Sequence, residues 1–272
     1  MSAIHGTLEL ARAYLLQTMR SRSALIWTLL FPQVWLFLFA LIYRDQPGGM
    51  SARVPGLFTI TAFSGAFFGV AYTLVTEREQ GILRRIWVTP ATATTVVVAN
   101  AARSLVTVVA SLLVQGILAR FALGVDFGPA VWRVAVVLAF GVWAFVPLGL
   151  IMGSVAKDMR SAPAIGNLIF MPMIFLSGAA LPIQMLPGWL QSFGRMLPTA
   201  YLVQALEGVM VRGEGLTQQG LPLAVMLTSG FVAFGLNSLL FRWESTQPLG
   251  AKRVGSALAG LALLYVVVAL VT

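Results

Sequence analysis

The sequence predicts an all-α integral membrane protein with six core transmembrane helices, an N-terminal interfacial helix and a seventh, C-terminal apolar segment. Three observations carry that prediction. Of the 272 residues, 58% belong to the apolar set and only 10% are charged, and the mean hydropathy is +0.88, whereas soluble domains have about 45–50% apolar and about 25% charged residues. Apolar runs of about 20 residues, the length that crosses a hydrocarbon core of about 30 Å, recur along the chain. Basic residues fall in short clusters between those runs, so the net charge of +9 reads as membrane topology, and no nucleic-acid partner is expected. A water-soluble globule is excluded.

The N-terminal stretch Ile4–Ser23 places Leu8, Ala11, Leu15 and Met19 at helical spacing, with Arg12, Gln17, Arg20 and Arg22 mostly off that stripe. This is the pattern of a helix lying in the membrane interface. The run Ala24–Tyr43 is longer than the apolar part of a signal peptide and has no convincing A-x-A site, so it is expected to be the first span. Further runs follow at Leu57–Val75, about Val96–Ala119, Val134–Ala156, Ala162–Leu181 and Leu221–Phe241. A final run, Val254–Val271, is at the lower limit of what crosses a bilayer and either spans or lies along the surface. The chain therefore divides into residues 1–23 (interfacial helix), 24–244 (transmembrane domain) and 245–272 (additional hydrophobic segment). A cytoplasmic N-terminus leaves only Arg44, Arg53, Arg120, Arg133, Arg195 and Arg212 outside, with the other 12 of the 18 Lys and Arg inside. That balance favours the N-in orientation.

Several chemistries are excluded. There is no cysteine and a single histidine, His5, so disulfides, thiol chemistry and ordinary zinc or haem sites lack their ligands. The only lysines, Lys157 and Lys252, do not follow a glycine-rich phosphate cradle, so the chain is expected to hold no ATP and no cofactor of its own. All nine acidic residues, from Glu9 to Glu244, are placed in termini, loops or connecting helices. No proton or sodium relay is visible, nor the clustered carboxylates or activated nucleophile of an intramembrane enzyme.

Two connections are long and patterned. The segment Thr76–Pro90 reads TEREQGILRRIWVTP. Thr76 and Glu79 have capping-box spacing, Glu77 suits a helix N-terminus, and Pro90 pushes Thr89 out of the helical region. On the short helix between them Ile82 and Ile86 form one i,i+4 pair and Leu83 and Trp87 another, with Arg84 and Arg85 between. Such a helix suits a groove on a partner protein or, alternatively, anionic lipid headgroups. The second connection, Pro182–Gly220, follows Ser177 and Gly178 and contains Pro182, Leu186, Pro187, Trp189, Pro198 and Tyr201. Prolines and an aromatic ring at a span end imply broken helices buried in protein or lining a cavity, or else a loop with an interfacial anchor. Gly65-x-x-x-Gly69 and Gly149-x-x-x-Gly153 allow close helix approach. Phe63 and Phe67, beside the first of these, either line an apolar path or pack helices together. Arg103, near the start of the third span, is expected to be paired or to snorkel.

The order Glu77, Glu79, Gly81, Leu83, Arg84, Arg85, Thr89, Pro90 resembles the coupling region of type-2 ATP-binding-cassette exporter permeases of the daunorubicin-exporter and polysaccharide-exporter group, although Ile82 stands where that family often has Thr. The Ser177–Tyr201 block is similar to the same family's outer segment. The resemblance covers about Arg12 to Glu244; the tail Pro248–Thr272 departs from it. It implies a cytoplasmic coupling helix, outer re-entrant helices that gate the path, a second permease copy, and separate nucleotide-binding ATPase subunits that carry ATP and Mg. Such a subunit sits in the cell (inner) membrane and moves a hydrophobic or amphiphilic small molecule or lipid outward. A passive channel or ion-coupled secondary transporter is the alternative.

Overall fold

A computed structural model describes residues 3–43, 49–89, 91–127, 131–240, 255, 259 and 260. Pro90 and, apart from those three residues, the tail Pro248–Thr272 lie outside the described residues. Within them the protein is all-helical.

The chain opens with α1 (Ala3–Arg20) and runs through α2 (Arg22–Leu25) and a π-helical turn (Ile26–Leu30) into α3 (Phe31–Ile42). The wide turn has a local cause, since Pro32 has no N–H to give to the preceding turn. Gln33 donates to the Leu29 carbonyl at 2.9 Å, and Gln115 of a later helix donates to the Pro32 carbonyl at 3.3 Å. Backbone acceptors in this span are thereby satisfied inside the protein, as an apolar surrounding demands. Next come α4 (Val54–Glu79), the short α5 (Ile82–Trp87), α6 (Ala93–Leu123), α7 (Val131–Val155) and α8 (Ala162–Leu176). The second patterned connection forms a 3-10 turn (Ile183–Met185), α9 (Gly188–Arg195) and α10 (Pro198–Met210), and α11 (Gly220–Leu240) follows. Helices α4, α6 and α7 and the stretch Leu216–Asn237 are long and apolar enough to cross a membrane; Ile26–Ile42 and Ala162–Leu176 are shorter apolar helices. Each of the six expected core spans contains a helix, but that of Ala162–Leu181 stops at Leu176, where Ser177 and Gly178 turn the chain. Several overrun the apolar stretch, as α4 does by reaching Glu79, because the backbone ladder sets the helix end.

Helix α4 is the centre of the fold. Phe63, Ala62, Ala66, Val70 and Val75 on it are wholly buried, and it packs most extensively against α7. Glycines on α7 make that approach close: a Cβ at Gly149 would stand 2.4 Å from the Phe67 carbonyl oxygen, and one at Gly153 3.0 Å from that of Ala71. The motif on α4 divides. A Cβ at Gly65 would stand 2.7 Å from Val108 of α6, but nothing lies within 4 Å of one at Gly69. Gly69 is therefore not a packing contact, and its role is carried by its carbonyl, described below.

Phe63 and Phe67 are core residues. The Phe63 ring lies 5.1 Å from Phe67, 4.9 Å from Phe145 of α7 and 5.3 Å from Phe170 of α8, closing the middle of the protomer with aromatic contacts. Helix α1 lies along α6. Tyr14 and Thr18 are buried while Leu8 and Met19 are exposed, because the inward side meets polar partners.

Candidate functional site

The Glu77–Thr89 segment makes an elbow where α4 ends. The sequence suggests a capped helix start at Thr76–Glu79, but α4 continues through Glu79, and Gly81 turns the chain with φ +69° before α5 begins. Glycine reaches that left-handed conformation without a Cβ clash. At the far end of α5 the Thr89 hydroxyl donates to the Ile86 carbonyl at 2.6 Å and accepts from the Ala91 N–H at 3.3 Å.

Helix α5 is two-sided. Leu83 is wholly buried, and Ile82 and Ile86 are half-buried, so this side seats the helix on its own protein. Arg84, Arg85, Trp87 and Val88 are exposed, the last two by 53% and 84%. The Leu83–Trp87 pair is thus split between the two faces, whereas Ile82 and Ile86 share one.

The residues before the turn fix its base, and each grips a different element. Glu77 is buried and accepts a hydrogen bond from the Tyr14 hydroxyl of α1 at 3.0 Å. Arg78, also buried, donates to the Gly153 carbonyl at 3.0 Å and to that of Ala156, which satisfies the C-terminal end of α7 with a cation. Glu79 accepts the Met159 N–H at 3.0 Å, tying the elbow to the α7–α8 connection.

Arg103 of α6 completes this base. It donates to the Gly69 carbonyl at 2.9 Å, Thr73 at 2.7 Å, Asn100 at 3.0 Å and Thr18 at 3.5 Å, and it attracts Glu77 at longer range. It is buried and clasped within the protein, the paired alternative of the two expected for it. Burial and the neighbouring carboxylate push the Tyr14 phenol above its ordinary range, so it acts as a hydrogen-bond donor. Tyr14, Thr18, Thr73 and Asn100 carry no motif. Their only trace in the sequence is polar spacing of three or four residues on otherwise apolar helices.

At the other end of α4, about 39 Å away for 26 residues at about 1.5 Å each, Ser177, Gly178, Pro182 and Tyr201 line a cavity of ≈ 760 Å³, whereas Leu186, Pro187, Trp189 and Pro198 do not. Ser177 ends α8, accepting the Ala179 N–H at 3.4 Å, and Gly178 turns the chain at φ +88°. Gly56 lets this turn sit against α4, since a Cβ there would be 2.2 Å from the Ala179 carbonyl oxygen. Pro182 precedes the 3-10 turn, Pro187 starts α9, and the Leu186 carbonyl accepts from Gln191 at 2.8 Å. Pro198 starts α10, where Thr199 donates to the Met173 carbonyl of α8 at 2.8 Å. Tyr201 is buried and lines the cavity. Trp189 is 66% exposed and stands edge-on to Phe193, 6.5 Å between ring centres. The two expected gate rings are therefore not brought together: one faces the cavity and the other the surroundings. Among the described residues no three His, Asp or Glu side chains gather as around a metal ion.

Comparison with known proteins agrees with this architecture. The chain is 25% identical over 170 residues to the inner membrane transport permease YhhJ of Escherichia coli, covering 62% of this chain and 46% of that protein. It is 27% identical over 175 residues to the probable doxorubicin resistance ABC transporter permease protein DrrC of Mycobacterium tuberculosis, covering 62% and 61%. Nodulation protein J of Rhizobium meliloti is 32% identical over 106 residues, 39% of this chain and 40% of that protein. The chain thus spans about half the length of the curated relatives it matches. Residues 6–211 match the family described as ABC-2 type transporter, a stretch that includes the elbow, the central α4–α7 pair and helices α8 to α10, and the chain belongs to that family of multi-span membrane proteins.

Proposed function

We infer that the protein is the transmembrane permease subunit of an ATP-driven exporter, working as a pair of permease copies in the inner membrane with its N-terminus and α5 in the cytoplasm. Separate nucleotide-binding subunits hold ATP and Mg, and the cargo is a hydrophobic or amphiphilic small molecule or lipid. The observation that carries this reading is the two-sided α5: Arg84, Arg85, Trp87 and Val88 face outward while Leu83 is buried and the Glu77, Arg78 and Glu79 grips tie the base of the helix to α1, α7 and the α7–α8 connection. A load applied to the exposed face passes through these hydrogen bonds into α1, α7 and the α7–α8 connection, and through the attraction between Glu77 and Arg103 toward α6. Closure of the motor subunits would then move these helices together as one body, which is how rigid-body switching is transmitted. Arginine suits the task, since its fork takes a carboxylate with two charge-assisted bonds.

The test is Arg85→Glu in proteoliposomes containing the partner ATPase. Reversing an exposed interfacial charge is expected to lower permease-stimulated ATP hydrolysis and transport about tenfold, with normal insertion. Wild-type coupling in neutral lipid would remove the docking role. A defect appearing only in anionic lipid would assign α5 to headgroup binding.

A further inference from the structure

The outer cavity has a charge pattern that gating alone does not require. At ≈ 760 Å³ it lies within the range of about 300–1,000 Å³ typical of ligand sites. Its wall contains Arg53 before α4, Arg195 at the end of α9 and Arg212 after α10, against one carboxylate, Glu207. Topology does not ask for cations here, because positive residues are favoured at the cytoplasmic face. Other arginines at this end are occupied elsewhere: Arg120 pairs with Asp126 at 2.6 Å, and Arg133 donates to the Glu214 carbonyl at 3.5 Å. Arg212 is itself held by Glu214 at 2.6 Å, with Glu207 3.9 Å away.

Arg53 and Arg195 therefore supply the cavity's excess charge. Arg53 lies 4.6 Å over the Tyr43 ring, a contact that orients the guanidinium without neutralising it. Burial pushes the Glu207 carboxyl above its ordinary value in spite of Arg212 and Arg53. Planar forks are the side chains that hold phosphate or carboxylate by paired bonds. Ile183, Met196 and Leu221 on the same wall offer apolar surface beside them.

We propose that this cavity binds the anionic headgroup, phosphate or carboxylate, of an amphiphile, with Arg53 and Arg195 as its ligands. The site's place as the release station of an outward path rests on the export reading; the binding itself does not. A cationic amphiphile is disfavoured there by the same two charges.

The experiment is equilibrium dialysis of octyl phosphate against the full-length protein in phosphatidylcholine nanodiscs, without ATP or partner, with empty nanodiscs as the baseline. Octyltrimethylammonium and inorganic phosphate are the comparison probes. Octyl phosphate is expected to bind saturably and more tightly than either. Arg195→Gln, an exposed position that leaves folding intact, is expected to weaken binding about tenfold, as the loss of one charge-assisted bond does. Arg195→Lys is expected to recover part of the loss, and Arg53→Gln with Arg195→Gln to abolish binding. Equal binding of the cationic probe, or full binding by the double variant, would overturn the site. Inorganic phosphate binding as tightly as octyl phosphate would overturn the amphiphile assignment. Because no pumping is measured, a protein that binds but does not export would refute the export reading and leave this site standing.

Discussion

The buried base of the elbow makes a prediction whose size follows from its bonds. In Glu77→Ala the Tyr14 hydroxyl loses its acceptor at 3.0 Å, and Arg103 loses its nearest carboxylate. An orphaned buried donor costs about 1–3 kcal/mol. Arg103 keeps its neutral acceptors on Gly69, Thr73, Asn100 and Thr18, so losing the longer-range attraction adds less than breaking a direct buried pair. The sum is about 2–4 kcal/mol. Glu77→Gln leaves an amide carbonyl for Tyr14 and removes only the charge, at a cost of about 1 kcal/mol. Arg103→Ala strips donors from three helices and leaves Glu77 buried with Tyr14 alone, so it approaches the roughly 3–5 kcal/mol of a broken buried charge pair. The expected order is Arg103→Ala, then Glu77→Ala, then Glu77→Gln. The double alanine variant should fall short of the sum of the two single effects by about 1–2 kcal/mol, since each deletion already spoils the other's site. The assay is reversible unfolding of the full chain in mixed micelles, followed by tryptophan fluorescence. Additive single effects, or a Glu77→Ala cost below about 0.5 kcal/mol, the range of ordinary surface changes, would refute the idea that this cluster holds the elbow.

Two further predictions concern packing and topology. Gly149→Ala puts a Cβ 2.4 Å from a carbonyl of α4 and should destabilise by about 1–3 kcal/mol, whereas Gly69→Ala meets open space and should be neutral or slightly stabilising in the same unfolding assay; equal effects would contradict the α4–α7 contact. The chain has no native cysteine, so single cysteines at positions 84 and 184 can be probed with an impermeant thiol reagent on intact cells: labelling is expected only at 184, and labelling at 84 would reverse the orientation.

The sequence alone decided the helix inventory, because a segment surrounded by hydrocarbon must satisfy its own backbone and reveals itself by length and hydropathy, as Leu57–Val75 and Val134–Ala156 do. It also pointed to a short helix within Thr76–Pro90, although it set the start at Thr76–Glu79 and the structure sets it after Gly81, and to breaks at Pro182, Pro187 and Pro198. What it left open is which face of a helix meets which neighbour. On chains this apolar the hydrophobic stripe carries little contrast, so Leu83 and Trp87 look alike in sequence, yet one is wholly buried and the other exposed. The two glycine motifs are equally indistinguishable until α7 lies against α4 and makes Gly149 a contact and Gly69 a carbonyl for Arg103. Glu77 reads as a connecting-helix acid and becomes a buried acceptor because Tyr14, 63 positions away, is folded over it. Local rules fix turns and spans, but the partners of a buried polar group are chosen by long-range packing, and only the tertiary structure names them.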